Sequence, residues 1–154
     1  MLIDNEEQYR AVWDRVYKEL GFEPSCDYRG HSLRVPLPFK LEEPYAIYGI
    51  DDMTDDQIDL VPEMMKKIFT ERTPEGQRIY VLDWHHEAFL YDPRNPEEQK
   101  LGYIPDGDYL FFINEDFSFG YLGHPWRQEI WVFGGSLIEK TEEVYQQLGW
   151  TKVK

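Results

Sequence analysis

The chain has 154 residues, of which 42% are hydrophobic and 16% aromatic, and 30 acidic against 16 basic residues give it a formal net charge of −14. So many aromatic side chains exclude an intrinsically disordered chain, and the acidic balance argues against nucleic acid and anionic membranes as partners, since both attract clustered lysine and arginine. The length predicts one domain, residues 1–154, with enough buried surface for a core.

The first predicted element is a helix that begins at Asp4. Asp4 would cap the first turn, and Glu7 three residues later completes a start that resembles a capping box. Apolar residues then recur at helical spacing, and Gly21 is placed to end the helix in a left-handed conformation. The apolar stripe consists of Tyr9, Val12, Trp13, Val16, Tyr17 and Leu20.

A proline-rich loop over residues 22–44 and a short strand over 45–50 precede the second predicted helix. Thr54 and Gln57 form a capping box at its start. Pro62 would break the helix or restart it, and apolar residues continue its buried face for about two more turns. Four aspartates crowd its start, where the helix dipole favours negative charge. They are Asp51, Asp52, Asp55 and Asp56.

After residue 77 the hydrophobic pattern changes to that of strands. Strands are predicted over residues 78–84, 86–91, 108–113, 117–121 and 129–133. The strand 108–113 is apolar on both faces, as in a central strand that is covered on both sides. A short hairpin connection follows at residues 114–116, and the Gly-His-Pro-Trp segment at 123–126 is predicted as a turn.

The last predicted element is a helix that begins with a capping box of Ser136 and Glu139. It runs through Leu148, and Gly149 occupies its C-terminal cap. Helices at both ends of an antiparallel meander predict the α+β class. We expect a single domain in which about five antiparallel strands pack against two or three helices.

Cys26 is the only cysteine, which excludes an intrachain disulfide bond. The first ten residues lack the basic segment and apolar run of a secretory signal, and no apolar run approaches the roughly 20 residues of a membrane span. A cytoplasmic protein is therefore expected.

Three segments resemble those of a known family. They are LDWHHEAFLYDP (82–93), PDGDYLFFINEDFSFGYLGHPW (105–126) and IWVFGGSLI (130–138). In this order they resemble a bacterial domain-of-unknown-function family, the one numbered 2716. The resemblance covers residues 79–138 well and the N-terminal third loosely. It implies a bacterial, cytosolic, single-domain protein and brings no activity, substrate or cofactor.

The best candidates for metal ligands are Asp83, His86 and His124, which lie at predicted strand ends or turns of one sheet. Adjacent strand residues point to opposite faces, so only one of His85 and His86 can join a given site. The alternative is structural: His124 orders its turn by hydrogen bonds, and His86 packs beside a tryptophan.

Several other polar residues have both a chemical and a structural interpretation. A buried Asp83 needs a partner, for which Arg78 or Arg127 is available. Paired carboxylates suit acid–base chemistry, although the turns around them give the same residues a structural duty. These carboxylates are Asp106, Asp108 and Asp116. Gly134 and Gly135 before the last helix could hold an anion or simply form a turn.

Tryptophans supply a further candidate site. Trp84, Trp126 and Trp131 would line a ligand pocket or form part of the core. A Trp126 exposed at the tip of its turn would favour protein binding, because tryptophan is enriched at interface hot spots.

These observations favour a non-enzymatic binding protein of the immunity or inhibitor type, with no cofactor and a basic protein, such as a toxin, as partner. Its interface would be the acidic segment 51–56, the acidic segment 139–143, or the Gly-His-Pro-Trp turn. The candidate binding residues are Trp84, His86, His124, Trp126, Arg127, Asp52, Asp55 and Asp56. The alternative is a metal-dependent hydrolase that uses Asp83, His86 and His124.

Overall fold

In the computed structural model, which describes residues 1–24, 37–95 and 101–154, one antiparallel sheet of seven strands forms the centre of the molecule. The strands are β1 (Tyr45–Gly49), β2 (Ile79–Asp83), β3 (Ala88–Tyr91), β4 (Leu110–Asn114), β5 (Gly120–His124), β6 (Glu129–Phe133) and β7 (Thr151–Lys152). Their order across the sheet is β3-β2-β4-β5-β6-β1-β7. The α+β class is confirmed, and the sheet is larger than the five strands expected, partly because the two-residue β7 is too short to be recognised from its sequence.

In the described part of the chain, three helices cover the two faces of this sheet: α1 (Glu6–Glu19), α2 (Asp55–Arg72) and α3 (Gly135–Val144). One face packs on α1 and the other on α2 and α3, so that each face has its own apolar cluster. Within β4, Phe111 and Ile113 belong to the α1 cluster, while Leu110 and Phe112 belong to the opposite one. The prediction of a central strand covered on both faces is therefore confirmed.

The predicted start of α1 was wrong by one residue. Asn5, and not Asp4, is the cap, and its side chain accepts a hydrogen bond from the backbone N–H of Gln8 at 3.0 Å. Asparagine and aspartate cap helices about equally well, so the pattern does not separate two neighbours. Gly21 adopts the left-handed conformation expected of it (φ +56°), and a Cβ there would lie 2.6 Å from that of Lys40.

The capping box of Thr54 and Gln57 starts α2 as predicted. Pro62, however, neither breaks nor restarts the helix, which is continuous from residue 55 to residue 72. Proline removes the N–H that the carbonyl of Ile58 would otherwise accept. Ile58 and Pro62 are both exposed, so water replaces the missing donor at little cost.

The last helix starts earlier and ends earlier than predicted. Gly134 (φ +87°) occupies the cap position without a side-chain hydrogen bond, so the capping box expected at Ser136 does not form. The helix ends at Val144, and a turn carries the chain past Leu148. Gly149 is left-handed (φ +73°) as expected, but it ends this turn and not the helix itself.

The strand predicted over residues 117–121 lies three residues further along the chain. Phe117 has a positive φ of +57° and belongs to the turn, and Gly120 is the first residue of β5 to pair with β4. This shift places His124 at the end of a strand, whereas the sequence predicted it within a turn.

No helix among the described residues is long and apolar enough to cross a membrane. Cys26 and His31 lie outside the described residues.

Candidate functional site

One imidazole and two carboxylates meet where β2 ends. His86 Nδ1 lies 3.3 Å from Asp83 Oδ1 and 3.5 Å from Asp108 Oδ2. One ligand atom from each of the three residues lies within 4.8 Å of the other two. The His86 side chain is 56% exposed, that of Asp83 27% and that of Asp108 35%. This cluster is therefore open to solvent.

Backbone hydrogen bonds hold the cluster in place. Asp83 and His86 flank a tight turn in which the His86 N–H donates to the Asp83 carbonyl at 2.9 Å. The Tyr9 hydroxyl of α1 donates to the His86 carbonyl at 2.9 Å. Across the sheet, the Trp84 N–H donates to the Tyr109 carbonyl at 3.1 Å, which brings the segment carrying Asp108 beside the turn.

His124 does not join this cluster. It is only 3% exposed; its Nδ1 accepts a hydrogen bond from the Arg127 N–H at 3.2 Å, and its Nε2 lies 3.3 Å from the Tyr109 hydroxyl. Because Nδ1 is an acceptor, the ring proton of the neutral imidazole is on Nε2. His124 thus orders the turn that follows β5, and the ligand set of Asp83, His86 and His124 is not assembled.

The arginines considered as partners of Asp83 pair elsewhere. Arg78 Nε lies 3.1 Å from a Glu115 carboxylate oxygen. Arg127 lies 3.7 Å from Glu129, and both side chains of that pair are largely buried, 14% and 11% exposed. Arg127 is therefore held by a carboxylate of its own hairpin, which reduces its value as a free binding residue.

The three candidate tryptophans do not line a common pocket. Trp131 is a core residue, 2% exposed, whose ring stacks on that of Tyr45 at 5.9 Å. Trp126 is half-buried and packs against the α1 cluster, so it is not exposed at the tip of its turn. Trp84 lies beside α1, where its ring lines a groove with Tyr9, Trp13 and Tyr17.

A small aromatic groove next to Trp84 escaped the sequence analysis. The neighbouring ring is His85, which has a φ of +66° and lies 3.8 Å from the Trp84 ring in a tilted arrangement; the expected partner His86 faces the carboxylates instead. The Trp84 Nε1–H donates to the Tyr17 hydroxyl at 2.9 Å. The groove encloses about 190 Å³ and is also lined by Tyr9 and Trp13. The only indication of this groove in the sequence was that the apolar stripe of α1 includes aromatic residues that remain partly exposed.

Asp116 serves the β4–β5 turn, as the structural interpretation predicted. Its carboxylate accepts hydrogen bonds from the Ser118 N–H at 3.0 Å and the Asn114 side-chain amide at 2.5 Å. These bonds stabilise the ionised form, and the largest effect, that of the Ser118 hydroxyl, lowers the pKa of Asp116 below its ordinary value.

We expect this turn to lose stability in acid. A carboxyl group whose pKa is depressed in the folded state stabilises the protein above its unfolded pKa of about 3.9, and this stabilisation disappears as the pH falls through the folded value. Because Asp116 is exposed, the loss should stay below about 1 kcal/mol. Urea unfolding at pH 6 and pH 3 should show a smaller acid loss in Asp116→Asn than in the parent, while Asp106→Asn should behave like the parent.

The acidic residues at the start of α2 form a group in which no member has a cation beside it among the described residues. Six exposed carboxylates form what we call the acidic α2 surface: Asp51, Asp52, Asp55, Asp56, Asp59 and Glu63. Among the described residues none of these six forms an ion pair. In the segment 139–143, by contrast, every glutamate is paired, with Arg72, Lys140 or Lys152.

Comparison with known proteins gives a family and one relative. A family model described as a protein of unknown function (DUF2716) matches residues 3–138. The chain is similar to the uncharacterized protein YxiI of Bacillus subtilis (strain 168), at 30% identity over 138 residues that cover 83% of each chain. No solved structure matches the chain.

Proposed function

The chain belongs to the DUF2716 family of proteins of unknown function, and we propose that it is a non-enzymatic binding protein whose acidic α2 surface engages a basic protein. The observation that carries this proposal is the contrast between paired and unpaired carboxylates. Six neighbouring acids on α2 and the turn before it have no lysine or arginine within 4 Å among the described residues, whereas about half of the other described acids have one.

The helix presents these charges together. Asp55, Asp59 and Glu63 follow one another at intervals of four residues, so they share one face of α2. Asp56 lies in its first turn, and Asp52 lies in the turn before it. Like charges at this spacing repel one another and cost stability. A partner with lysines and arginines would relieve that repulsion, and the net charge of −14 would steer such a partner towards the chain.

The structure favours this surface over the two other interfaces considered. The glutamates of segment 139–143 are neutralised by neighbouring cations, and the Gly-His-Pro-Trp turn buries His124 and half-buries Trp126. These observations support the α2 side of the sheet as the interface of the proposed immunity- or inhibitor-type function. A basic toxin is the kind of partner whose charge would suit it, and the single cysteine suits a cytoplasmic site of action.

The structure does not support a metal-dependent hydrolase with the ligand set that the sequence predicted. It required His124 as a ligand beside Asp83 and His86, and His124 is buried within hydrogen bonds to its own turn. We do not propose that activity.

The test neutralises Asp52, Asp55 and Asp56 together as asparagine. The matched control makes the same change of charge on α1 and the residues before it, on the other face of the sheet, with Asp4→Asn, Glu7→Gln and Asp14→Asn. Both sets are exposed and free of ion pairs among the described residues. Immobilised parent and variants would be used to capture proteins from the native cell, and association rates of each captured protein would then be measured.

A basic protein should be captured by the parent and the control and lost, or greatly reduced, with the α2 variant. Its association rate should fall about tenfold at low ionic strength, and this difference should vanish near 1 M salt, where the screening length is only about 3 Å. A partner that associates equally fast with all three chains at low salt would show that the acidic α2 surface is not the interface.

A further inference from the structure

We propose that Asp83, His86 and Asp108 form a binding site for a divalent transition-metal ion. This site lies at the end of β2, away from the acidic α2 surface, and does not depend on the proposed binding function. It also differs from the ligand set predicted from the sequence, because Asp108 takes the place of His124.

The distances suit a shared ion. Two ligands at adjacent positions on one metal, with bonds of about 2.0–2.2 Å, lie about 2.8–3.6 Å from each other in octahedral or tetrahedral geometry. The His86 Nδ1 atom lies 3.3 Å and 3.5 Å from the two carboxylate oxygens. Neither contact has the alignment of a hydrogen bond among the described residues, as expected if the nitrogen points between the two oxygens.

The donor set selects the class of ion. An imidazole nitrogen with carboxylate oxygens suits manganese, iron and zinc, whereas calcium and magnesium prefer oxygen ligands alone. Two carboxylates and a neutral imidazole carry a charge of −2, which a divalent cation neutralises. The exposure of His86, 56%, leaves room for water to complete the coordination shell.

The ligands are also held in advance of binding. The backbone of His86 is held by two hydrogen bonds: its N–H donates to the Asp83 carbonyl within the turn, and its carbonyl accepts the Tyr9 hydroxyl of α1. Asp108 comes from a segment tied to the same turn by the bond between Trp84 and Tyr109. The metal therefore needs to order little of the chain, which favours affinity.

The competing explanation is a plain ion pair in which a protonated His86 lies between two aspartates. The two explanations differ in their response to metal. The whole chain, purified without a histidine tag, would be titrated with Mn²⁺ followed by electron paramagnetic resonance, and with Zn²⁺ followed by calorimetry. The chain offers matched controls, because His85 lies beside His86, and Asp106 lies two residues before Asp108.

We expect one equivalent of ion to bind and thermal unfolding to move to higher temperature. His86→Gln and Asp108→Asn should each weaken binding by about tenfold or more, since even loss of an outer-shell partner costs about 10- to 100-fold. His85→Asn, which keeps a residue tolerant of positive φ, and Asp106→Asn should bind like the parent.

Absence of saturable binding by either ion at millimolar concentration would overturn the proposal, and so would binding that both site variants retain. Binding weakened equally by the control variants would overturn it as well. The outcome is separable from that of the capture experiment, because the variant neutralised at Asp52, Asp55 and Asp56 should bind metal like the parent whether or not it loses its partner.

Discussion

Gly134→Ala should destabilise the protein by about 3–5 kcal/mol, a loss large enough to threaten folding. Gly134 has a φ of +87°, which an alanine adopts only under strain. An added Cβ would also lie 2.4 Å from the Ser118 carbonyl oxygen and 2.7 Å from the Phe119 Cα. These are backbone atoms of the turn before β5, so no side-chain rotation relieves the overlap.

Gly135→Ala is the matched control for this prediction. Gly135 has no positive φ, and the nearest atom to an added Cβ is the Pro44 Cγ at 4.0 Å. Because alanine favours the first turn of α3, this variant should match the parent or exceed it by up to about 1 kcal/mol. Urea unfolding of the three chains checks the pair, and equal stability of the two variants would refute the packing argument. The same contacts assign the glycine pair to a structural turn, which was one of its two interpretations.

Asn114→Ala should cost about 2–4 kcal/mol. The Asn114 side chain is buried, 1% exposed, at the end of β4. Its Oδ1 accepts the buried Phe119 N–H at 3.0 Å, and its Nδ2 donates to Asp116 and to the Ser118 hydroxyl. Alanine would leave the Phe119 N–H without this partner and would release the turn in which Phe117 is left-handed.

Ser118→Ala removes the bond from the Asn114 amide and the hydroxyl's bond to Asp116, both at an exposed position, and should cost below about 1 kcal/mol. Chemical unfolding gives the two values, and amide hydrogen exchange at Phe119 reports the turn directly. Exchange there should accelerate strongly in Asn114→Ala and little in Ser118→Ala. If both variants lose the same small amount, the asparagine is not the organising residue of the turn.

The elements that could be predicted from sequence are those whose signal is local. The capping box at Thr54 needs only four consecutive residues, and the apolar run of β4 reports its burial on both faces. Where two local signals compete, the sequence does not decide between them. Asp4 and Asn5 are equally good caps. Pro62 is disfavoured within a helix but is tolerated here, because Ile58, whose carbonyl loses its hydrogen-bond donor, is exposed.

The candidate metal site could be predicted only in part because it depends on strand order. Asp83 and His86 are close in sequence, and the hydrophobic pattern predicted that both lie at strand ends or turns. Asp108 joins them only because β2 pairs with β4 and leaves β3 on its outer side. Periodicity carries no information about which strands are neighbours, so Asp108 was recognised as a carboxylate of interest but not as the third ligand. His124 was misplaced for a related reason, since the β4–β5 turn is longer than its sequence suggested.

Both margins of the sheet are occupied by short flanking segments. Residues 1–3 exchange backbone hydrogen bonds with β3, and residues 151–154 do the same with β1. An exposed strand margin would invite an extended peptide or another chain to add a strand, a mode of recognition that reads backbone more than side chains. Because these flanking segments are only three and four residues long, they leave little strand to which another could be added, so the partner proposed above would recognise the protein chiefly through side chains on its helical layers. Its specificity should then be altered by changes of single surface residues.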